Sequence, residues 1–439
     1  MRLHFLWAFT AALLLVSCGP SGPGPYQVVV LVYNSGEGVY EPRTVTLTTP
    51  TDIAKLQGSV AKLVGGSKFN EKDAVGNTVA EALQNFTKNP GSDVNASYIE
   101  SQDPDTGTRA LVPADFHSLA MATTYYNFER AHSFITERIG GTINEKRYGV
   151  PKVYYFTEYV SLDGITVTDN AMYAPLAQSF FIMPFQTFQQ VPMAINHGIV
   201  AHEFGHSMFN YNVFGSSPYP GVLDNWASDF GGTPGLNLIA ALEEGAADVF
   251  GTGATCSDDL VTCDTEFMGS SLNEEILSAR RVDGVHCMTQ TMWDNLETLG
   301  HENFLDAKNY CEPWGCNYTI GSVFASAMWA ASQDKPVTDK LGQSGARRQM
   351  FQALWNAEGG ASGSTSWKDL VDSAQVQSQF SLKKSASSSL PSVLDAVIAG
   401  AEDPTLKRAL CSAFIDRFDL ARTDFKDCPD AQSMGKCAR

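Results

Sequence analysis

The chain of 439 residues has little positive charge: 30 lysines and arginines stand against 48 aspartates and glutamates, a formal net charge of -18. Such a charge repels phosphate backbones, and no run of basic residues interleaved with aromatics offsets it, which argues against a nucleic-acid partner. Charged residues make up only 18% and hydrophobic residues 44%, which argues against intrinsic disorder. The length predicts two or three domains or lobes.

The apolar stretch that follows Arg2 is too short to span a bilayer as a stable anchor, so residues 1–18 are interpreted as a signal peptide. It ends in Leu-Val-Ser-Cys18, which resembles the bacterial lipobox, where cleavage before the cysteine leaves an acylated N-terminus. The resemblance implies a lipid anchor at Cys18 that holds the chain in the bacterial cell envelope, outside the cytoplasm. Ordinary cleavage or a free cysteine is the alternative. The Gly/Pro-rich residues 19–25 predict a flexible tether.

Cysteine is absent between Cys18 and Cys256, and the eight cysteines beyond form no two close CxxC pairs, which makes a cysteine-bound zinc site the weaker interpretation. An even number of cysteines in an exported chain predicts four disulfides. The sequence does not reveal the full pairing. Short spacings favour local bridges in two cases, Cys256 with Cys263 and Cys311 with Cys316.

Residues 26–110 predict a small N-terminal domain of unknown role, and an inhibitory pro-segment is one option. The segment opens with a β-branched run over 28–32 and has a helix-like stretch over 53–63. A polar segment rich in Gly, Pro, Asp and Ser, over 90–108, indicates its end.

Residues 111–211 predict an N-lobe. A long helix begins after the N-cap Asp115 and runs to Ile139, and strand candidates follow over 153–160, 165–168 and 179–185. Residues 212–439 predict a mainly helical C-lobe, with a Ser/Lys-rich interruption over 383–392. The order of helix, strands and then helices predicts an α+β fold.

The most informative motif is an HExxH pattern at His202, Glu203 and His206, which ends the N-lobe. Residues four apart lie on one face of a helix, so both imidazoles can point at a single metal ion while Glu203 lies beside the ion's open position. A catalytic zinc site has three protein ligands and a water, so the pattern requires one more ligand.

The third ligand is expected from the segment 242–251, which carries acids among small and apolar residues. Glu244 and Asp248 are four apart and share a helix face, whereas Glu243 and Asp248 do not. This spacing favours Glu244 as the ligand, with Glu243 as its rival. Asp248 is then placed to accept the remaining N–H of a zinc-bound histidine.

These residues resemble the thermolysin-like gluzincin peptidases, whose pattern is HExxH followed by a helix of the form Glu-x-x-x-Asp. His202, Glu203 and His206 match the first part, and Glu244 and Asp248 match the second. The resemblance covers roughly residues 115–329. It implies a two-lobed thermolysin-like fold with a mixed-sheet N-lobe and one catalytic Zn²⁺. It also implies cleavage of a peptide or protein substrate by a metal-activated water, with Glu203 as general base.

The same resemblance implies further site residues. Asn170 and Ala171 lie about as far before HExxH as the family's Asn-Ala segment, which binds the substrate backbone. The long connection from His206 to Glu244 implies an inserted loop over 210–233 that rims the cleft. The strand over 180–185 is hypothesised to be the sheet edge on which an extended peptide docks.

The chain departs from the family at the histidine that stabilises the tetrahedral transition state. Asp283-Gly284-Val285-His286 resembles the family's Gly-Val-His segment and implies His286, although residues 287–289 lack the expected glycine. Residues 317–325 resemble the helix that follows this histidine but contain none, so Tyr318 is the alternative donor.

Two rival functions remain open from the sequence. One is a catalytically silent zinc-binding surface lipoprotein, and the other is a hydrolase of another bond, because HExxH specifies the water and not the substrate. Calcium is not indicated, since the acidic residues around Cys256 and Cys263 lack EF-hand spacing. Four other histidines lack a partner pattern and are interpreted as structural: His117, His132, His197 and His301.

Overall fold

The computed structural model describes residues 24–34, 37, 39–76, 78–102, 107–143, 149–186, 191–214, 233–269, 271, 280–305, 311, 315–360, 366–372, 390–426, 428 and 431–437. The signal peptide and lipobox predicted over 1–18 lie outside these residues, as do most of the tether and most of the loop predicted over 210–233. Within the described part of the chain, no helix has the length and apolar character needed to cross a membrane.

The fold is mixed α+β, with strands up to residue 182 and helices dominating beyond residue 197. The strands are β1 (Tyr26–Asn34), β2 (Val39–Leu47), β3 (Pro50–Asp52), β4 (Gln57–Gly58), β5 (Lys62–Gly65), β6 (Lys68–Asn70), β7 (Thr87–Asn89), β8 (Ser92–Asp93), β9 (Tyr98–Gln102), β10 (Arg109–Pro113), β11 (Lys152–Tyr155), β12 (Glu158–Val160), β13 (Thr166–Val167), β14 (Ala171–Ala174) and β15 (Ser179–Ile182).

The described strands form three sheets. One has the order β2-β1-β10-β9, another β13-β12-β6-β7, and the largest β14-β15-β11-β5-β4-β3, with β8 added to β5. All four residues of β15 are buried, as expected for a strand with a neighbour on each side. In this sheet β14 and β3 are the terminal strands.

The boundary predicted at residue 110 lies inside β10, and strands from both sides of it pair. β1 pairs in parallel with β10, and β5 pairs in parallel with β11. Residues 26–110 therefore share sheets and one hydrophobic core with residues 111–211, instead of packing as a separate small domain. The polar composition near residue 100 has another cause: β9 is a sheet-edge strand with four of its five residues exposed.

The helices are α1 (Val79–Phe86), α2 (Phe116–Ser133), α3 (His197–Phe209), α4 (Thr233–Thr255), α5 (Gln290–Thr298), α6 (His301–Leu305), α7 (Cys316–Ser332), α8 (Lys335–Trp355), α9 (Trp367–Asp372), α10 (Leu390–Gly400) and α11 (Pro404–Arg417). Short 3-10 helices span Glu71–Asp73 and Arg422–Asp424, and π-helical turns span Phe134–Arg138, Asn210–Phe214 and Asn356–Gly360. The predicted Asp115 cap is confirmed, because its carboxylate accepts the N–H of Ser118 at 2.7 Å.

The helix-like stretch predicted over 53–63 is wrong. Its apolar residues are buried, but they belong to a turn followed by β4 and the start of β5. Leu56 has a φ of 46°, in the left-handed region that ends regular helix. A Cβ on Gly58 would lie 2.1 Å from the Thr49 carbonyl oxygen, so only glycine permits this close approach of the backbone. Helical spacing of apolar residues here reflects burial beneath α2.

Four disulfides join the eight cysteines that follow Cys18: Cys256–Cys263, Cys287–Cys437, Cys311–Cys316 and Cys411–Cys428. Both predicted local bridges are confirmed. Four disulfides are typical of an exported protein.

Candidate metal centre

The metal centre begins with helix α3, whose start is determined by Asn196. The Asn196 side-chain oxygen accepts the backbone N–H groups of Gly198 and Ile199 at 3.0 and 3.1 Å. Its amide nitrogen donates to the carbonyl oxygen of Gly269 at 2.8 Å. This residue therefore caps the helix and attaches it to the segment after α4, which orients the histidines two turns further on.

Glycines allow the ligand helices to approach closely. A Cβ on Gly205 of α3 would lie 2.9 Å from the Cα of Ala247 in α4. On its other side α4 meets α7, where a Cβ on Gly245 would lie 2.6 Å from the Gly321 carbonyl oxygen. Because both contacts are backbone to backbone, α4 lies close enough to α3 for a short carboxylate side chain to reach its histidines.

Three atoms converge at this helix pair. Nε2 of His202 lies 3.0 Å from Nε2 of His206, and Oε2 of Glu244 lies 3.6 and 3.7 Å from these two nitrogens. A tetrahedral zinc ion with bonds of about 2.0–2.1 Å requires ligand atoms about 3.3–3.4 Å apart, so the spacing fits zinc. Two imidazoles and a carboxylate are also a donor set that zinc prefers. In the part of the chain that the structure describes, this trio forms a cluster of metal-ligating side chains whose ligand atoms all lie within 4.8 Å of one another.

Each histidine has a carboxylate at its other ring nitrogen. Nδ1 of His202 lies 3.0 Å from the buried Asp248. Nδ1 of His206 lies 3.2 Å from Glu243, the residue weighed against Glu244 as a ligand. Glu243 thus faces the outer nitrogen, whereas Glu244 reaches the cluster. Carboxylates in such positions select the tautomer that leaves Nε2 free for a metal.

Arg280, a residue that no sequence motif singles out, is 5% exposed and lies beside the cluster. Its Nη2 donates to Asp248 and, at 3.3 Å, to Glu244, while its Nε donates to Asp248 at 3.3 Å. Its guanidinium carbon lies 4.6 Å from the ring centre of Tyr318. Several acids on one buried helix predict that a buried cation lies nearby, because buried charges are paired. The spacing of the sequence does not show whether that cation is Arg280 or Arg281.

Burial and neighbouring charges shift the pKa values of the metal-free site. Burial raises the pKa of Glu203 to about 7 and lowers that of His202 to about 3. Burial opposes the charged form of His206, but Glu244 and Glu243 beside it outweigh burial and raise its pKa to about 10. Burial also raises the pKa of Glu244 to about 7. Without a metal, His206 is therefore the histidine that carries the positive charge, next to the permanent cation Arg280.

A cleft of about 470 Å³ opens over the cluster and includes Asn170 and Ala171 in its lining. Glu203 faces this cleft, and its Oε2 accepts the backbone N–H of Tyr173 in β14 at 2.7 Å. The strand over 180–185 is not the sheet edge, because β15 is paired on both sides; the edge strand beside the cleft is β14. Asn170 immediately precedes this edge strand.

His286 is not among the residues that line the cleft, whereas Tyr318 is. The His286 Nε2 lies 2.9 Å from the Arg281 carbonyl oxygen, and the residues beside His286 line a different cavity. The segment around His286 therefore resembles the family's Gly-Val-His segment in sequence, but its histidine does not line the cleft. The structural interpretation suits two other histidines, since His117 and His197 contact the hydroxyls of Tyr155 and Tyr40.

No protein-family model matches the chain, and no curated protein matches it. Among solved structures, one similar chain is the precursor of protealysin, a metalloproteinase from Serratia proteamaculans. It shares 12% sequence identity at a TM-score of 0.41, over 80% of this chain and 86% of that chain. Similarity at this level leaves the function to be inferred from the chain's own residues.

Proposed function

We propose that this protein is a zinc metallopeptidase. One observation carries the proposal: two imidazole nitrogens and one carboxylate oxygen meet at the spacing of zinc ligands, next to the separate carboxylate of Glu203 and the edge strand β14. A purely structural zinc site would be closed by a fourth protein ligand. Here the cleft leaves room for water and a substrate carbonyl.

His202, His206 and Glu244 would hold the metal. A bound zinc ion lowers the pKa of its water and polarises a carbonyl. Glu203 accepts the proton of the attacking water and later delivers it to the leaving amine. Burial raises the pKa of Glu203 in the metal-free site, and a more basic carboxylate is a better proton acceptor. The hydrogen bond from the Tyr173 N–H holds the carboxylate in place.

Tyr318 and Arg280 stabilise the negative charge that develops on the substrate carbonyl oxygen, in place of a histidine. Both line the cleft, and the guanidinium lies over the phenol ring. Tyr318→Phe is expected to lower kcat about 100-fold or more with little change in KM. His286→Gln should leave kcat nearly unchanged; the opposite ranking of the two variants would contradict this assignment.

An extended peptide docks on β14 as an added antiparallel or parallel strand. Asn170, whose side-chain oxygen already accepts the Ala171 N–H at 2.9 Å, presents its amide nitrogen at the start of that strand. Asn170→Ala should raise KM for peptides severalfold. Unchanged peptide kinetics would exclude docking at this end of the strand.

The decisive test measures cleavage of casein by the purified mature protein. Glu203→Gln should reduce cleavage by about 100- to 10,000-fold, because it removes the general base, yet keep one zinc ion per chain by metal analysis. Glu297→Gln, at an exposed position on α5, is the matched control and should cleave normally. Intact casein with the zinc-loaded wild type, across a range of pH, would contradict the proposal and favour a silent zinc-binding lipoprotein.

We also propose that the mature chain begins at an acylated Cys18 and acts in the bacterial cell envelope. The support is the lipobox-like sequence, together with four disulfides typical of exported proteins. Mass spectrometry should find lipid on Cys18, and Cys18→Ser should move the protein from the membrane to the soluble fraction. A membrane-bound Cys18→Ser protein would rule out this anchor.

A further inference from the structure

A second cavity, of about 730 Å³, lies beside residues 282–285, which follow the cleft residue Arg280 closely in sequence. Its lining has more positive than negative side chains, whereas the whole protein has a formal charge of -18. Four cationic side chains line it against two acidic ones: Lys335, Arg347, Arg417 and Lys436, with Asp283 and Asp334. Trp329 and Met434 add apolar surface.

Two of the cations are buried arginines. Arg347 is 5% exposed and Arg417 is 3% exposed, and neither forms an ion pair with any described carboxylate. In both, the Nε atom is buried without a hydrogen-bond partner in the described part of the chain. Arg280 is equally buried but meets two carboxylates. A buried guanidinium without a paired anion is costly, and Asp416 offsets only part of this cost for Arg417, because it favours the charged form without forming an ion pair.

The remaining contacts of the two guanidiniums are to neutral groups. Nη1 of Arg347 donates to the carbonyl oxygens of Leu260 and Val261, at 2.9 and 2.5 Å, and lies 3.4 Å from the Cys263 sulfur, while the guanidinium carbon lies 4.6 Å from the Trp329 ring centre. Nη1 of Arg417 lies 4.0 and 3.8 Å from the sulfurs of the Cys287–Cys437 disulfide. All these polar contacts use Nη1, so within the described part of the chain the N–H donors of Nη2 and Nε remain for a ligand.

The acids of the cavity do not supply the missing negative charge. Asp283 is paired with Arg281 through both carboxylate oxygens, at 3.0 Å each. Asp334, just before α8, forms no ion pair with Arg347 or Arg417. Lys436 is exposed and adds a further cation at the cavity. The lining is therefore a positive pocket with apolar walls.

We propose that this cavity binds a small anion through carboxylate or phosphate oxygens, with Arg347 and Arg417 as the main ligands. Planar guanidiniums match both kinds of oxyanion. The site is separate from the metal centre, so the proposal does not depend on the peptidase function.

The test is titration calorimetry of the full mature chain with inorganic phosphate and, separately, with butyrate. Because both anions also ligate zinc, the titrations are made on protein stripped by a chelator that is then removed by dialysis. Arg417→Gln and Arg347→Gln should each raise the dissociation constant at least tenfold. Arg408→Gln and Arg348→Gln, exposed positions on the same helices, should leave it unchanged.

Lys436→Gln provides a variant at an exposed position, in case loss of a buried arginine impairs folding, and should raise the dissociation constant two- to fivefold. Saturable binding of phosphate, butyrate or both, weakened by these variants, supports the site and identifies the preferred oxyanion. Absence of saturable heat with both anions would overturn the proposal. So would binding to the wild type that Arg417→Gln and Lys436→Gln leave intact.

Discussion

Replacing Arg280 by glutamine would show how the metal centre is held together before any metal binds. Arg280 is the buried cation between Asp248 and Glu244; its charge helps to lower the pKa of Asp248 and opposes the rise that burial causes in the pKa of Glu244. Removing it leaves two buried acids beside His202 and His206. Breaking a buried ion pair by removing one partner costs about 3–5 kcal/mol, a large part of the roughly 5–15 kcal/mol that stabilise a typical domain.

The loss should depend on pH in a defined direction. Burial opposes ionisation of Asp248, but Arg280 and His202 outweigh it and depress the pKa of Asp248 in the folded state. A depressed carboxylate pKa adds stability above the unfolded pKa of about 3.9, and this stability disappears as the pH falls through the folded value. The difference in unfolding free energy between wild type and Arg280→Gln should therefore have its full value near pH 7 and become smaller below about pH 4.

Urea denaturation in excess chelator, followed by tryptophan fluorescence, measures this gap without a zinc contribution. The matched control is Arg281→Gln: the neighbouring arginine is 42% exposed and pairs with Glu266 and Asp283, which are 45% and 34% exposed, so its loss should cost only about 1–2 kcal/mol. Equal stability of the two variants at pH 7, or a gap that widens in acid, would refute the idea that Arg280 neutralises the site.

Three further outcomes follow from the same structure. Zinc affinity, measured by competition with a chromophoric chelator, should rise about tenfold per pH unit from pH 7 to near 10, because zinc must displace the proton on His206, whose pKa is about 10; a flat profile would contradict this. Gly205→Ala should lower the free energy of unfolding in urea by about 1–3 kcal/mol and weaken zinc binding, because its Cβ would lie 2.9 Å from a backbone atom of α4. Gly300→Ala is the control: no atom lies within 4 Å of the added Cβ, so stability and zinc affinity should both stay unchanged. Thermal unfolding should show a greater loss of stability, about 5 against 2 kcal/mol, without Cys287–Cys437 than without Cys311–Cys316, because the sequence separations are 150 and 5; similar losses would contradict the loop-entropy argument.

The sequence predicted the parts of the centre that depend on local spacing. His202 and His206 are four residues apart on one helix, and the carboxylates of Glu244 and Asp248 share a face of the next. The start of α2 follows from the capping chemistry of Asp115, and both short disulfides follow from short spacing. In each case the interacting residues are close in sequence or on one helix.

Two of the failed predictions concern pairing between strands that are distant in sequence, and a third concerns the placement of one side chain. An apolar strand over 180–185 was hypothesised to be a sheet edge, because hydrophobicity does not say whether a strand has one neighbour or two. The boundary at residue 110 failed because the partners of β1 and β5 lie beyond it. His286 resembled a motif, but folding of the segment after Arg280 turns it toward the Arg281 carbonyl, away from the cleft.

The charges of the centre also explain why its acids tolerate burial before a metal arrives. Glu203, Glu243, Glu244 and Asp248 lie around two cations, Arg280 and the protonated His206, whose pKa is about 10. A zinc ion held by His202, His206 and Glu244 would replace the proton of His206 and add one net positive charge, and loss of a proton from Glu244, whose pKa is about 7 without metal, would offset that charge. Arg280 would stay in place through such an exchange, because its ion pair with Asp248 does not involve the metal ligands on the neighbouring helix. The arginine is thus a permanent cation that holds the geometry, whereas the charge on His206 is the one that a metal would displace.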